Sequence, residues 1–99
     1  MGITTIREKI SRLEYRFSDH AVKRMIERSI YRSDIELVIM TGKIIEEYPD
    51  DKYSPSCLIY GKTEDKRKIH VQASFPPSVV IITTYEPDPD EWIDYKTRR

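Results

Sequence analysis

Residues 68–85 read Lys68-Ile69-His70-Val71-Gln72-Ala73-Ser74-Phe75-Pro76-Pro77-Ser78-Val79-Val80-Ile81-Ile82-Thr83-Thr84-Tyr85. Two runs rich in β-branched and aromatic residues, Lys68–Phe75 and Val79–Tyr85, flank Pro76-Pro77-Ser78. That composition predicts two strands, and a Pro-Pro-Ser connection is too short for a parallel crossover. The strands must therefore be antiparallel neighbours. Upstream, Cys57–Thr63 reads as another strand, joined through the short segment Glu64–Arg67. Lys43–Tyr48, with Ile44 and Ile45, reads as the first of the set, followed by a loop from Pro49 through Pro55. The expectation is a four-stranded antiparallel meander. Pro87 and Pro89 close it, and Asp90–Tyr95 reads as a helical turn with Trp92 packed inward.

Side-chain alternation divides the strands between two faces. Ile69, Val71, Ala73 and Phe75 share one face, and His70, Gln72 and Ser74 the other. Strict alternation sets Val80, Ile82 and Thr84 against Val79, Ile81, Thr83 and Tyr85. One face of the sheet is apolar and should be covered by helices. The other, carrying Tyr60, Lys62, His70, Gln72 and Tyr85, is expected to lie open.

The helices precede the sheet. Ile3, Ile6, Ile10 and Leu13 are spaced for a short helix over residues 4–13. Glu14–Phe17 alternates polar and aromatic residues and reads as a short strand. Ser18 caps a strongly amphipathic helix over residues 18–28, with Phe17 and Val22 at staple spacing. Ala21, Val22, Met25 and Ile26 form its expected buried stripe, while His20, Arg24, Glu27 and Arg28 gather on the other side. This helix should stop near Ser29. Ser33-Asp34-Ile35-Glu36 is a capping-box pattern opening another helix, with Ile35, Val38 and Ile39 inward and Gly42 as a left-handed stop.

Ninety-nine residues, 38% hydrophobic and 34% charged, make one domain (1–99) with a thin core and a charged surface. Seventeen cations balance seventeen anions, which argues against a nonspecific polyanion binder but leaves room for a local basic patch. One cysteine, Cys57, excludes an internal disulfide and suggests a reducing compartment, the cytoplasm. Cys57 lacks an adjacent base and reads as core. Apolar runs long enough to span a membrane and a signal-peptide core are both lacking, so no membrane association is expected. Two histidines and one cysteine without metal-ligand spacing give no metal site, and no glycine-rich loop suggests a nucleotide cofactor; none is expected.

Ser18-Asp19-His20-Ala21, Arg24-Met25, Glu27-Arg28 and Ile30 resemble the signature of a small prokaryotic family known as domain of unknown function 4258. Ile69-His70-Val71 is similar to its second histidine-bearing strand. Thr84-Tyr85-Glu86-Pro87-Asp88-Pro89 with Trp92 resembles its ending, and Tyr48-Pro49-Asp50-Asp51 with Pro55-Ser56-Cys57-Leu58 also fits. The family commonly has glycine at Ser29, and often Asp-Gly within the hairpin at Glu64–Arg67, where this chain departs. In layout it is similar to toxin nucleases of the RelE, barnase and colicin type. The resemblance implies an α+β fold, two or three N-terminal helices on one face of the sheet, RelE-like, and a metal-independent endoribonuclease or a toxin-like relative. It also implies RNA as substrate and an antitoxin protein as partner.

Such cleavage needs a base for the 2′-hydroxyl, an acid for the leaving 5′-oxygen and cations for the phosphorane. His20, Arg24, His70 and Tyr85 are the candidate catalytic residues, and Arg28, Lys62 and Tyr60 the candidate substrate-binding ones. The plainer reading of the helix stripe is a solvated face, with an arginine paired to Glu27 or Asp19. For His70 it is a strand residue bonded to Tyr60 or Glu46, for the tyrosines half-buried packing, and for Lys62 a solvated edge. Geometry adds an objection. A helix covering the apolar face turns its polar stripe away from His70 unless it crosses near a sheet edge. Asp88, Asp90 and Glu91 read as capping and solubilising charges. The rival function is a non-catalytic protein-binding module, by strand addition or as a homodimer.

Overall fold

The computed structural model describes residues 2–52 and 54–99. Of the expected loop over residues 49–55, Tyr53 lies outside the described residues. Helices α1 (Ile3–Ser11), α2 (Asp19–Arg28) and α3 (Arg32–Thr41) precede strands β2 (Lys43–Tyr48), β3 (Ser56–Lys62), β4 (Lys68–Ser74) and β5 (Val79–Tyr85), with strand β1 (Tyr15–Phe17) between the first two helices. The meander β2-β3-β4-β5 is antiparallel as expected. The sheet is nonetheless five-stranded and mixed, in the order β1-β5-β4-β3-β2. Strand β1 joins β5 in parallel, pairing Tyr15–Phe17 with Val79–Ile81. Short connections force antiparallel pairing only between consecutive strands. Between β1 and β5 lies most of the chain, ample for a crossover.

The core lies between the helices and one sheet face. Ile6 and Ile10 of α1, Ile35, Val38 and Ile39 of α3, and Ile59, Ile69, Val71 and Ile81 of the sheet are fully or almost fully buried there. Cys57 joins this core, and burial, reinforced by the Glu47 carboxylate, pushes its thiol up to about 12, well into the unreactive range. Two arginines close the helix C-termini. Arg7 donates to the carbonyls of Ile39 (2.8 Å) and Gly42 (2.9 Å), and Arg67 to those of Arg28 (2.9 Å) and Ser29 (2.8 Å). These four bonds satisfy carbonyls left unpaired at the negative end of a helix. No helix among the described residues is long and apolar enough to cross a membrane.

Local differences from the sequence reading have physical causes. Leu13 does not extend the stripe of α1; the helix ends at Ser11 and Leu13 turns outward in the left-handed region, φ 59°. Helix α3 is capped at Tyr31 rather than Ser33, where the Tyr31 N–H donates to the Asp34 carboxylate at 2.9 Å. Gly42 is extended rather than left-handed (φ −85°). It is needed for space, because a Cβ there would strike the carbonyl oxygens of Tyr60 and Val38.

The largest correction concerns α2. Ala21 is buried and Met25 half-buried, but Val22 is 43% and Ile26 76% exposed. The helix lies along β5 where β1 has ended, so there is too little sheet beneath it to cover four apolar side chains. It is rolled so that the Ala21 side seats against β5 and the arginine flank comes to the sheet edge. The second face of the sheet is not open either. Instead of a helical turn, Trp92–Ile93 (β6) and Thr97–Arg98 (β7) form a hairpin across it. Asp94 (φ 52°) and Tyr95 (φ 63°) are both left-handed, and the Lys96 N–H reaches the Ile93 carbonyl at 3.0 Å. That is a type I′ hairpin turn built without glycine. Trp92 packs inward as expected, almost fully buried.

Candidate active site

Four residues from four strands lie in one row: Lys43, Tyr60, His70 and Tyr85 are successive cross-strand partners. Tyr85 reaches this row because β5 carries a bulge. Thr83 pairs with Gln72 and Ile81 with Ala73, leaving Ile82 as the extra residue. Val79 and Ile81 therefore face the helices. After the bulge Thr84 takes the core side, fully buried, its hydroxyl donating to the His70 carbonyl at 2.9 Å, while Thr83 and Tyr85 turn to the His70 side. Simple alternation had grouped Ile81 with Tyr85; the inserted residue separates them.

Ser18 fixes α2 to this bulge. Its hydroxyl accepts from the Ala21 N–H (3.0 Å), the expected cap, and donates to the Ile82 carbonyl (2.8 Å). Its own N–H donates to the Ile81 carbonyl (2.9 Å). The helix thus begins at the point where β5 loses its neighbour β1 and becomes the sheet edge. Arg67, from the β3–β4 hairpin, fixes the other end, bonding the last carbonyls of α2 and the Glu86 carboxylate (2.9 Å).

Held between these two ties is a cleft of about 320 Å³, lined by His20, Arg24 and Arg28 of α2 and by Thr83, Tyr85, Glu86, Asp88 and Glu91. The helix does run along a sheet edge, the condition under which its polar stripe can meet the sheet. Arg24 pairs with Glu27 at 3.3 Å, as the plainer reading had it. Both side chains are well exposed, so the pair is weak and an anion can displace it. Glu86, Asp88 and Glu91 bring negative charge; the sequence reading assigns Asp88 and Glu91 to capping and solubility and gives Glu86 no role. Asp88 closes a turn and caps no helix, accepting from the Asp90 N–H at 2.8 Å, and it lines the cleft as well. The only sequence signal for this acidic wall is its position directly after Tyr85.

His70 stands behind Tyr85, 0% exposed. Its Nε2–H donates to the Tyr95 carbonyl at 2.6 Å, which leaves Nδ1 to accept from the Tyr85 hydroxyl at 3.3 Å. The ring sits edge-on to Trp92 (4.5 Å) and Tyr60 (5.9 Å). Burial lowers the His70 pKa below 6.5, against the opposing pull of the Tyr95 carbonyl and Glu46, so the ring is neutral at pH 7. Burial likewise raises Tyr85, which stays a protonated donor. With no access to solvent, His70 reaches the cleft only through that phenol. Tyr60 and Lys62 line a different cleft, on the other side of the row. The structure therefore brings His20, Arg24, Arg28 and Tyr85 together and separates Tyr60 and Lys62 from them.

Fold and cleft define a small α+β domain with a histidine–arginine helix docked at a sheet edge. The family model described as domain of unknown function (DUF4258) matches residues 17–86, and the chain belongs to that family. The match runs from the residue before the Ser18 cap to Glu86, and so spans both ties and His20, Arg24, Arg28 and Tyr85. Comparison with curated proteins and with solved structures finds no match.

Proposed function

We propose that the domain is a toxin-like endoribonuclease that cleaves RNA by general acid–base chemistry without a metal ion. The supporting observation is the convergence of an exposed imidazole, two guanidiniums and a buried-sided phenol on one cleft. In this reading His20 takes the 2′-hydroxyl proton, and the freed oxygen attacks the adjacent phosphorus. Arg24 and Arg28 hold the non-bridging oxygens, matching their donor forks to developing charge. Tyr85 protonates the departing 5′-oxygen, an alkoxide far more basic than a phenolate. The products are a 2′,3′-cyclic phosphate and a 5′-hydroxyl, and solvent exchange returns the proton from His20 to Tyr85. His70 is a positioning residue that orients the Tyr85 hydroxyl. The likeness to RelE-, barnase- and colicin-type nucleases, an antitoxin partner and a cytoplasmic location belong to the same proposal.

The test is cleavage of single-stranded RNA by purified protein in excess chelator. Activity that persists under chelation and falls about a hundredfold in His20→Ala, within the usual range for a general acid–base residue, supports the reading. Activity that vanishes with chelator, or is indifferent to both His20→Ala and His70→Gln, sinks it.

A second reading, self-association, is favoured by the outer side of α2. Val22, Ile26 and Tyr31 (65% exposed) surround a hollow of about 280 Å³ with Met25 and Ile30. Exposed apolar surface of this kind commonly marks a protein contact. Sedimentation that shows a concentration-dependent dimer, abolished by Ile26→Lys, would establish it.

A further inference from the structure

At the opposite end of the row lies a larger cleft, about 500 Å³, between the C-terminus of α3, the start of β2 and the β3–β4 hairpin. Lys43, Lys62, Lys66 and Lys96 line it, against Glu64 as the sole carboxylate of the lining. All four lysines are exposed, and among the described residues none makes an ion pair. The chain as a whole is neutral. Carboxylates sufficient to neutralise this cleft exist, and the fold places them elsewhere: of the ion pairs seen among the described residues, all but Lys9–Glu14 are made by arginines. Four ammonium groups around one concavity repel each other until an anion enters.

Aromatic rings are interleaved with the amines. Lys96 Nζ lies 5.8 Å over the Tyr60 ring, Tyr60 and Tyr95 are parallel at 6.4 Å, and Lys68 Nζ lies 5.3 Å over Tyr95. A groove of flexible point charges beside aromatic rings suits a charged, conformationally variable chain carrying bases. The β6–β7 hairpin covers the row between Tyr60 and Tyr85, where His70 is 0% exposed, so a bound chain would reach the edge cleft around that hairpin and not across the row.

We propose that the lysine cleft binds the phosphodiester backbone of a single-stranded polynucleotide and holds it on the side of the sheet away from His20. Its direction toward the edge cleft rests on the nuclease reading; its binding does not. The probe is a fluorescently labelled single-stranded 2′-O-methyl oligoribonucleotide, which lacks the nucleophile and cannot be cleaved by 2′-hydroxyl attack. Anisotropy titrations at several salt concentrations should give a log–log salt slope of about −0.7 per neutralised phosphate, near −2.8 if all four lysines engage. Lys43→Gln/Lys66→Gln should reduce that slope by about 1.4 and weaken binding roughly tenfold at low salt. Lys62→Glu/Lys96→Glu should weaken it further. No binding by the unaltered protein, an unchanged slope in both double variants, or equal lysine-dependent binding of polyglutamate would overturn the proposal, the last pointing to an acidic protein partner. Failure of cleavage with binding intact would remove the nuclease reading alone.

Discussion

At one end of the Lys43–Tyr60–His70–Tyr85 row, Tyr85 opens on a cleft where arginines face carboxylates beside an imidazole. At the other end, Tyr60 opens on a cleft where lysines face almost nothing of opposite sign. The first has an exposed imidazole beside a phenol, and charges that are already partly satisfied. The second has four lysines against the single carboxylate of Glu64, and none of these lysines makes an ion pair among the described residues. Charges of both signs suit bond making and breaking over a short distance; charge of one sign suits holding a polymer. Total charge could not distinguish these regions, because the sequence averages them to zero.

The sharpest way to break this contrast is kinetic. His20→Ala should lower kcat for RNA about a hundredfold and leave KM nearly unchanged, whereas neutralising Lys43 and Lys66 should raise KM and spare kcat. If both changes act on the same parameter, the division between the two ends of the row fails. Next in size, Tyr85→Phe should slow cleavage roughly tenfold while thermal melting stays within a few degrees, because the lost bond to His70 is long. A large loss of stability instead would make that phenol a structural rather than a chemical group.

The row's centre gives a pH prediction. The folded His70 pKa is depressed below 6.5, so the unfolded chain binds the proton first as pH falls. Stability should be flat with respect to this group above about pH 7 and should decline from about pH 6.5 toward the folded value. The slope is at most about 1.4 kcal/mol per pH unit. His70→Gln should flatten the profile over that window, measured by urea denaturation at each pH. A smaller effect is expected at the end of α2. Ser29 is left-handed, φ 52°, where glycine carries no Cβ penalty. Ser29→Gly should stabilise the domain by about 0.5–1 kcal/mol without changing activity, readable in the denaturation midpoint. Destabilisation would mean that Arg67 depends on the serine backbone geometry.

The parts of the fold legible in the sequence were those fixed locally. β2 and β5 have the expected bounds, the meander follows from connection length, and Ser18 caps α2 as its hydroxyl dictates. The parts not legible depend on what lies beneath an element. Periodicity identified Val22 and Ile26 as apolar but not that the sheet would end before reaching them. The I′ turn at Asp94-Tyr95 has no glycine to announce it. β1 finds a partner more than sixty residues away. The cleft was half legible for the same reason. His20, Arg24 and Arg28 share a helix flank that any helical wheel shows, while Tyr85 joins them through one unpaired residue in a strand.

That surplus residue has a consequence for how relatives of this chain should be compared. Moving the register by one position sends every later side chain through the sheet. Were Ile82 paired in the ladder instead of left over, the phenol would be exiled into the oily layer beneath the helices, though every named cleft residue remained in the sequence. Deleting one residue there would only regularise the strand and leave the phenol on its present face. Exchange of Ile82 for another aliphatic would leave the phenol where it is. Along this strand, pairing matters more than spelling.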